Sequence, residues 1–332
     1  MTQKILLTGG AGYIGAHTYV ALSKAGFEPV ILDNFSNADR DTPARLAQLT
    51  GKACLCHDCD LLDRDGLDAV FAAHDFAATV HFAAYKAVGD SVARPQAYFN
   101  NNMGGLINLL GAMERHDLGR IVFSSSATVY GDCDQQPIPE TAPLSATNPY
   151  GLSKLVGEQM LEQMQVAHPD WAISILRYFN PVGLHKSGLL RLSPEETTQP
   201  PENLMPRLIE VAKGTRKQLS VFGDDYDTPD GTGLRDYIHV QDLARGHVLA
   251  LQALITTDES HTVNLGTGQG YSVLEMIAAF AAACGRDIPY TIAPRRAGDV
   301  ARCYADVSHA KAVLGFETEF GLSEMCADSW VA

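Results

Sequence analysis

The first half of the chain alternates short, nearly unbroken apolar runs with longer runs whose apolar residues recur at helical spacing. Lys4 to Thr8, Pro29 to Asp33, Ala53 to Asp58, Thr79 to Phe82, Ile121 to Ser126 and Ile173 to Tyr178 read as buried strands. Tyr13 to Ala25, Arg64 to Ala73, Ala97 to Arg115 and Tyr150 to Ala167 read as the helices between them. Such alternation predicts an α/β fold, a doubly wound parallel sheet with helices on both faces. Strands covered on both faces are continuously apolar.

After Asn180 the pattern loosens. Pro181 to Pro206 is proline-rich and is expected to be a long loop system, followed by a helix from Leu204 to Lys213 and a polar, glycine-rich stretch from Gly223 to Gly233. His261 to Leu265 reads as one more strand returning to the main sheet. Ser272, with Glu275 three residues on, makes a capping box that opens another helix. No repeat, low-complexity tract or flexible linker separates the parts. The expectation is two interleaved lobes: residues 1–180, with 237–268 returning to them, and a smaller α/β lobe in residues 181–332.

Composition narrows the role. The 332 residues are enough for about two domains, and 46% hydrophobic with 19% charged residues is the balance of a folded chain. Acidic residues number 39 against 25 basic ones, a formal net charge of −14. That surface repels nucleic-acid phosphates and anionic lipid, so no nucleic-acid or membrane partner is expected, and an anionic ligand must be met by a local set of donors. M-T-Q-K-I-L-L-T-G-G is too short and glycine-broken for a signal peptide, and no apolar stretch approaches the ~18 residues of a membrane helix. Seven irregularly spaced cysteines without a secretion signal read as reduced thiols in the cytoplasm.

Three motifs carry chemistry. T-G-G-A-G-Y-I-G, Thr8 to Gly15, follows a strand and opens a helix. Its glycines permit a tight turn and close approach of a pyrophosphate, which the helix amino terminus attracts. Asp33 ends the next strand, where a carboxylate accepts from both ribose hydroxyls and repels a 2′-phosphate, so the cofactor expected is NAD on a Rossmann-type sheet. Tyr150 and Lys154, in Y-G-L-S-K, share a helix face, and Pro149 suits the helix start. A free tyrosine has a pKa near ~10, and a nearby ammonium with the positive nicotinamide ring lowers it. The phenolate can then take a substrate hydroxyl proton while hydride leaves for the cofactor. Alone, the pair would read as an exposed tyrosine beside a solvated lysine; after a dinucleotide motif it reads as catalytic. S-S-S-A-T-V-Y-G, Ser124 to Gly131, ends a strand where such sheets gather ligands. A serine there can bridge substrate oxygen and tyrosine, though Ser124 and Ser125 also suit a capping role.

The chain resembles an extended short-chain dehydrogenase/reductase and, within that superfamily, the UDP-galactose (UDP-glucose) 4-epimerases. The resemblance runs nearly end to end. It is most specific in H-F-A-A-Y-K-A-V-G-D-S-V (His81 to Val92), F-S-S-S-A-T-V-Y-G, L-R-Y-F-N-P-V-G (Leu176 to Gly183) and N-L-M-P (Asn203 to Pro206). The longest piece is F-G-D-D-Y-D-T-P-D-G-T-G-L-R-D-Y-I-H-V-Q-D-L (Phe222 to Leu243). It implies Ser126, Tyr150 and Lys154 as the catalytic set. It implies cofactor contacts at Gly9, Gly12, Tyr13, Ile14 and Gly15, and on the adenosine side at Asp33, Asn34, Asn37, Asp60 and Leu61. Further along the cofactor it implies Phe82, Ala83, Lys86, Asn101, Ser124, Tyr150, Lys154 and Tyr178. For the nucleotide sugar it implies Lys86, Ser126, Tyr150, Asn180, Asn203, Leu204, Phe222, Arg235, Arg296 and Asp299. The two arginines suit a diphosphate on an acidic protein. Ala84 and Tyr85 replace the family's common glycine and leucine, which bears on the nicotinamide surroundings. The tail after Trp330 is short.

The resemblance implies reversible inversion at carbon 4 of a UDP-hexose with NAD retained, in a homodimer whose subunits meet through the two long helices. Cys303, in G-D-V-A-R-C-Y-A-D, falls where the family carries a bulky tyrosine or a small residue. The small side chain leaves room for an acetamido group and implies activity on UDP-N-acetylhexosamines too. A one-residue shift would put Tyr304 there; equal spacing from Asp299 to Asp306 argues against it. A nucleotide-sugar 4,6-dehydratase would carry Thr-Asp-Glu where this chain has Ser126-Ala127-Thr128. A non-catalytic NAD-sensing regulator would commonly lack the tyrosine and lysine. No metal is expected: Cys54, Cys56, His57 and Cys59 lie on and beyond a buried strand, and Asp224, Asp225, Asp227 and Asp230 lack the closing glutamate of a calcium loop.

Overall fold

The computed structural model describes residues 2–190, 203–296 and 299–330. The chain begins β1 (Lys4–Thr8), α1 (Tyr13–Lys24), β2 (Glu28–Asp33), α2 (Thr42–Thr50), β3 (Leu55–Asp58), α3 (Arg64–Ala73) and β4 (Phe76–His81). It continues α4 (Val88–Ala93), α5 (Pro95–Tyr98), a π-helical turn (Phe99–Gly104), α6 (Gly105–Arg115) and β5 (Arg120–Ser126). A 3₁₀ turn (Ala127–Tyr130), α7 (Pro149–Ala167) and β6 (Ala172–Tyr178) follow. Then come β7 (Asn180–Val182), α8 (Leu204–Ala212), β8 (Leu219–Phe222), β9 (Leu234–His239), α9 (Val240–Thr257) and β10 (His261–Leu265). The last are β11 (Gly270–Ser272), α10 (Val273–Cys284), β12 (Tyr290–Ala293), β13 (Arg302–Cys303), α11 (Ser308–Leu314) and α12 (Leu322–Trp330).

Seven strands form one parallel sheet in the order β10-β6-β5-β4-β1-β2-β3. Successive residues of one strand serve opposite layers. Ile5 and Leu7 of β1 join a core with Tyr19 and Val20 of α1, Leu46 of α2 and Leu243, Leu251 and Leu254 of α9. Leu6 between them faces Leu67 and Phe71 of α3, Leu109 and Met113 of α6 and Leu161 of α7. This two-sided burial is why the strands read as unbroken apolar runs.

After Tyr178 the chain crosses into a second lobe. There β9 pairs with β7 and β13 in parallel and with β11 antiparallel, while β8 and β12 form a separate parallel pair. Helices α8, α10 and α12 enclose this lobe's core around Leu208, Met276, Phe280 and Met325. From His239 the chain returns through α9, which packs on α1, and β10 joins the free edge of β6. Ser272 and Glu275 form the expected reciprocal capping box of α10.

Three elements differ from expectation. The run Ala53 to Asp58, expected as a buried strand, is the edge strand β3 from Leu55 on; with a neighbouring strand on one side only it is partly exposed, Leu55 at 39%. The run Ala97 to Arg115 is not one α-helix: it widens into the π turn, which brings Asn102 inward. Its amide Nδ2 donates to Tyr85 O at 3.0 Å and Ser153 Oγ at 2.9 Å, and its Oδ1 accepts from Tyr85 N at 2.8 Å. The extra residue per turn swings this amide under the loop after β4. The proline-rich stretch after Asn180 opens not as loop but as β7, since Pro181 needs no ladder donor in a strand this short. Its residues 191–202 lie outside the described residues. Among the described residues no helix is long and apolar enough to cross a membrane.

Candidate active site

The glycine-rich turn joins β1 to α1 at the carboxyl edge of the sheet. Gly9 has φ +71°, and a Cβ there would lie 2.6 Å from Ala83 N. At Gly15 a Cβ would lie 2.4 Å from Gly9 O, so both positions exclude side chains. Gly12 differs: a Cβ there would meet only Gly9 O, at 3.4 Å, and the space beyond is open. Gly12 is also the N-cap of α1, with no side-chain cap and no acidic residue in the first turn. This helix start carries no cap of its own side chain and no acidic residue, and a phosphate fits there.

Asp33, at the end of β2, holds the turn. Its Oδ2 accepts from Ala11 N at 3.0 Å and its Oδ1 from Phe35 N at 2.9 Å. Burial raises its pKa and those two amides act against the rise. Beside it Asn34 Nδ2 donates to Asp60 Oδ2 at 2.8 Å, Leu61 is buried, and Asn37 is exposed on the following loop. These positions form one rim around the ends of β2 and β3.

Ser126, Tyr150 and Lys154 meet where two caps coincide. Asn148 Oδ1 accepts from Gly151 N at 2.9 Å, capping α7, and Pro149 occupies its first turn. A Cβ on Gly151 would sit 3.0 Å from Thr128 O, so the helix start is seated on the 3₁₀ turn. That turn is capped by Ser126, whose Oγ accepts from Thr128 N at 3.2 Å and Thr128 Oγ1 at 2.9 Å. Tyr150 thereby comes against Ser126: burial raises the phenol pKa, and the hydrogen bond with Ser126 works the other way.

Lys154, one turn along α7, is buried. Its Nζ donates to Ser124 O at 2.6 Å and Ser124 Oγ at 3.2 Å. Burial pushes the ammonium pKa down to about 7, with Glu158 acting upward. The two side chains share a helix face as expected, but the ammonium is bonded to the end of β5 and not to the phenol. Burial and Ser126 are what act on Tyr150 here.

Behind this set lies a buried ion pair absent from the sequence reading. Arg177 of β6 donates to both oxygens of Glu158, at 3.1 and 2.7 Å, and from Nη1 to Tyr130 Oη at 3.0 Å. Ser125 Oγ donates to Glu158, and Tyr130 donates to Asn264 of β10 at 2.6 Å. One signal was available: Arg177 is a charge inside a strand otherwise fully buried.

The remaining cofactor positions line the same edge. Phe82 and Ala83 follow β4, both donating backbone N–H to Thr8 O, and exposed Lys86 lies four residues past Phe82. Asn101 on the π turn donates to Asn102 Oδ1 at 3.0 Å. The Tyr178 hydroxyl is 2.5 Å from His247 Nε2.

In the second lobe, Phe222, Arg235, Arg296 and Asp299 come together. Arg296 lies 4.8 Å from the centre of the Phe222 ring and donates to Asp299 Oδ2 at 2.9 Å; Arg235 Nη2 is 3.8 Å from the other carboxylate oxygen. Arg235 Nη1 also donates to Leu234 O and Val300 O. Asn203 and Leu204 start α8, which packs on β8 next to Phe222, while Asn180 opens β7 opposite Tyr237. Cys303 stands opposite Arg235 in the β13–β9 register and packs against a cluster containing Ala127, Val129 and Phe179. Tyr304 turns the other way, its ring 3.2 Å from where a Cβ on Gly270 would be. Gly298 of the same motif lies outside the described residues. Of the loop aspartates, Asp225 pairs with Arg295, Asp227 with Arg302, and Asp230 accepts from Thr232 and Ser272.

A doubly wound sheet with an uncapped glycine turn, a strand-ending acid and a serine–tyrosine–lysine set defines a dinucleotide-dependent enzyme. Residues 5–266 match the NAD dependent epimerase/dehydratase family, and the chain belongs to it. It is 52% identical to the UDP-glucose 4-epimerase of Bacillus subtilis over 98% of this chain and 95% of that one. Among solved structures, a Stenotrophomonas maltophila UDP-glucose-4-epimerase with bound NAD and formylated UDP-arabinopyranose superposes with TM-score 0.96. It is 48% identical, over 99% of this chain and 97% of that one. A Bifidobacterium longum UDP-glucose 4-epimerase in complex with NAD+ and UDP superposes with TM-score 0.93 at 47% identity, over 99% and 97% of the two chains.

Proposed function

We propose that this chain interconverts UDP-glucose and UDP-galactose by inverting carbon 4, with NAD held throughout. The observation that carries the mechanism is the seating of Tyr150 against Ser126 at the end of β5, with Lys154 one turn behind. Gly9, Gly12, Gly15 and Asp33 would hold NAD, together with the rim residues Asn34, Asp60 and Leu61. When bound, NAD supplies the acceptor and donor of the carbon-4 hydride. Tyr150 takes the 4-hydroxyl proton and later returns it, acting as base and then acid. Ser126 donates to the reacting oxygen, orienting it toward the phenol. Lys154, fixed on Ser124, presents positive charge to the site and offers its remaining proton to the cofactor ribose. Arg235, Arg296, Asn180, Asn203 and Phe222 grip the UDP. The sugar, less firmly held, turns over as a 4-keto sugar and presents its other face. Dehydration is disfavoured: Ala127 supplies no carboxylate, and the Thr128 hydroxyl is bonded to Ser126.

The lobe of residues 1–180 with 237–268 holds the cofactor in this reading, and residues 181–332 hold the UDP-sugar. Small Cys303 extends the substrates to UDP-N-acetylglucosamine and UDP-N-acetylgalactosamine. Seven free thiols support a cytoplasmic enzyme, and exposed apolar side chains on α4, α6 and α7 support a homodimer. The test is conversion of UDP-galactose to UDP-glucose by purified protein without added NAD. Tyr150→Phe should lower turnover roughly 100- to 10,000-fold with bound NAD unchanged. Activity within about threefold of wild type would remove Tyr150 from the mechanism.

A further inference from the structure

A second buried phenol stands beside the catalytic lysine. Tyr178 ends β6, and its hydroxyl lies 2.5 Å from Nε2 of His247, a fully buried residue in the middle of α9. His247 Nδ1 lies 2.8 Å from Leu243 O. A carbonyl only accepts, so Nδ1 carries the ring proton. Burial, which pushes this imidazole's pKa down to about 4, leaves it no second one. Nε2 is therefore an acceptor, and Tyr178 must donate to it. The phenol's lone pairs are left for Ser124, which acts on this phenol against the rise that burial gives its pKa, as a donor to its oxygen does. Ser124 Oγ in turn accepts from Lys154 Nζ at 3.2 Å.

The tautomer of His247 fixes Tyr178 as donor to it and so Ser124 as donor to Tyr178; the Lys154 ammonium can only donate to Ser124, and His247 donates to the main-chain carbonyl of Leu243. A serine hydroxyl free to rotate could aim its proton at the ammonium. Committed to Tyr178, it offers Lys154 only lone pairs. The chain ends on a carbonyl inside α9, so it orients charge without opening a proton path outward. That suits a reaction in which the proton taken is the proton returned. The imidazole also lies 4.8 Å from the Phe82 ring, on the loop after β4.

We infer that His247 and Tyr178 are positioning residues that act through the Ser124 hydroxyl to aim the Lys154 ammonium at the reacting centre. The inference rests on the reading of Lys154 given above, and goes beyond it by assigning a role to the middle of α9.

The experiment compares His247→Leu, His247→Gln and Tyr178→Phe in the full-length protein loaded with its NAD, with UDP-galactose as substrate. His247→Leu should lower kcat roughly 10- to 100-fold, leave KM and NAD content within about twofold, and displace the limbs of the pH–kcat profile; Tyr178→Phe, at a position also expected to contact the cofactor, should match it in kcat and pH profile when loaded with NAD. His247→Gln keeps an acceptor for Tyr178 and should recover most of kcat. Should His247→Leu fail to fold, Tyr178→Phe, which removes one oxygen, carries the test. Wild-type kcat and pH profile in Tyr178→Phe would overturn the inference, as would equal losses in the folded Leu and Gln variants. An inactive Tyr150→Phe beside a fully active Tyr178→Phe would sink only this inference; an active Tyr150→Phe would instead sink the reading beneath it.

Discussion

Cys303 and Tyr304 occupy neighbouring positions with opposite orientations, and the proposed breadth of substrates rests on that alternation. Cys303 faces the cluster around Ala127 and Val129, immediately after the catalytic serine, whereas Tyr304 covers Gly270. The bulkier neighbour is thus turned away from the site. Cys303→Tyr should fill the space that an acetamido group needs. Activity on UDP-N-acetylglucosamine should fall at least roughly tenfold while UDP-galactose turnover stays within about threefold, because the clash is steric and local. Equal losses on both substrates, or no wild-type activity on the N-acetylated pair, would defeat that assignment. Gly9, Asp33, Tyr150 and Lys154 were legible in the sequence because cofactor chemistry fixes their types at fixed spacings. Glu158, Arg177 and His247 were not, because their partners are distant in the chain. Tyr178 lies in the motif Leu176 to Gly183, but its partner His247 is 69 residues away and outside every motif.

Helix α7 shows how an element's end becomes part of the chemistry. Tyr150 lies in its first turn, where amides lack intrahelical partners and fraying is easiest. The Asn148 side chain closes that turn through Gly151 N at 2.9 Å. Asn148→Ala should cost about 1 kcal/mol of stability and lower kcat, since the phenol loses its fixed approach to Ser126. Asn148→Asp keeps the acceptor and should restore both. An alanine variant with wild-type kcat would show that the 3₁₀ turn alone seats the tyrosine. The inner main-sheet strands were readable because burial on both faces leaves a continuous apolar signature, which the partly exposed edge strand β3 lacks. The second lobe was harder: β7, β11 and β13 are only two or three residues long, too short for a period of two to register. The π turn was hidden because Phe99 to Gly104 continues the helical pattern, and only the partners of Asn102 explain the extra residue.

The whole molecule carries its burial as a pH dependence. Burial lowers the pKa of His17 and His81 to about 3 and that of His247 to about 4. In the unfolded chain each protonates as pH falls through about 6.5. The native rings stay neutral until far lower pH, so their contribution is complete above that value and lost below it. Buried Asp236 acts oppositely: its pKa is raised to about 6, so near pH 5 the native carboxyl holds a proton that the unfolded one has released. For these four groups the balance is an uptake of about two protons on unfolding near pH 5, a slope on the order of 3 kcal/mol per pH unit. Urea midpoints should therefore fall steeply from pH 6.5 to 5, and a flat profile would contradict the buried neutral imidazoles.

The proposed homodimer sets charge against apolar surface. Val92 of α4, Ile107 of α6 and Leu152 of α7 are 63%, 51% and 41% exposed. Helix α7 packs against α4 and against the π turn that leads into α6, so these side chains stand on neighbouring helices. Covering them with the same surface of a second copy buries apolar area, and a two-fold pairing makes each patch its own complement. Each chain also carries −14, so two chains repel at long range. Salt screens that repulsion over about 8–10 Å near physiological ionic strength but leaves the apolar contact in place. Light scattering should thus return about 72 kDa, twice the chain mass of 35.8 kDa, with the pair tightening as salt is raised from low concentration. Ile107→Asp with Leu152→Asp should release single chains that remain folded. A wild-type mass near that of one chain at moderate salt would rule out the dimer, and a pair that the double substitution leaves intact would place the interface elsewhere.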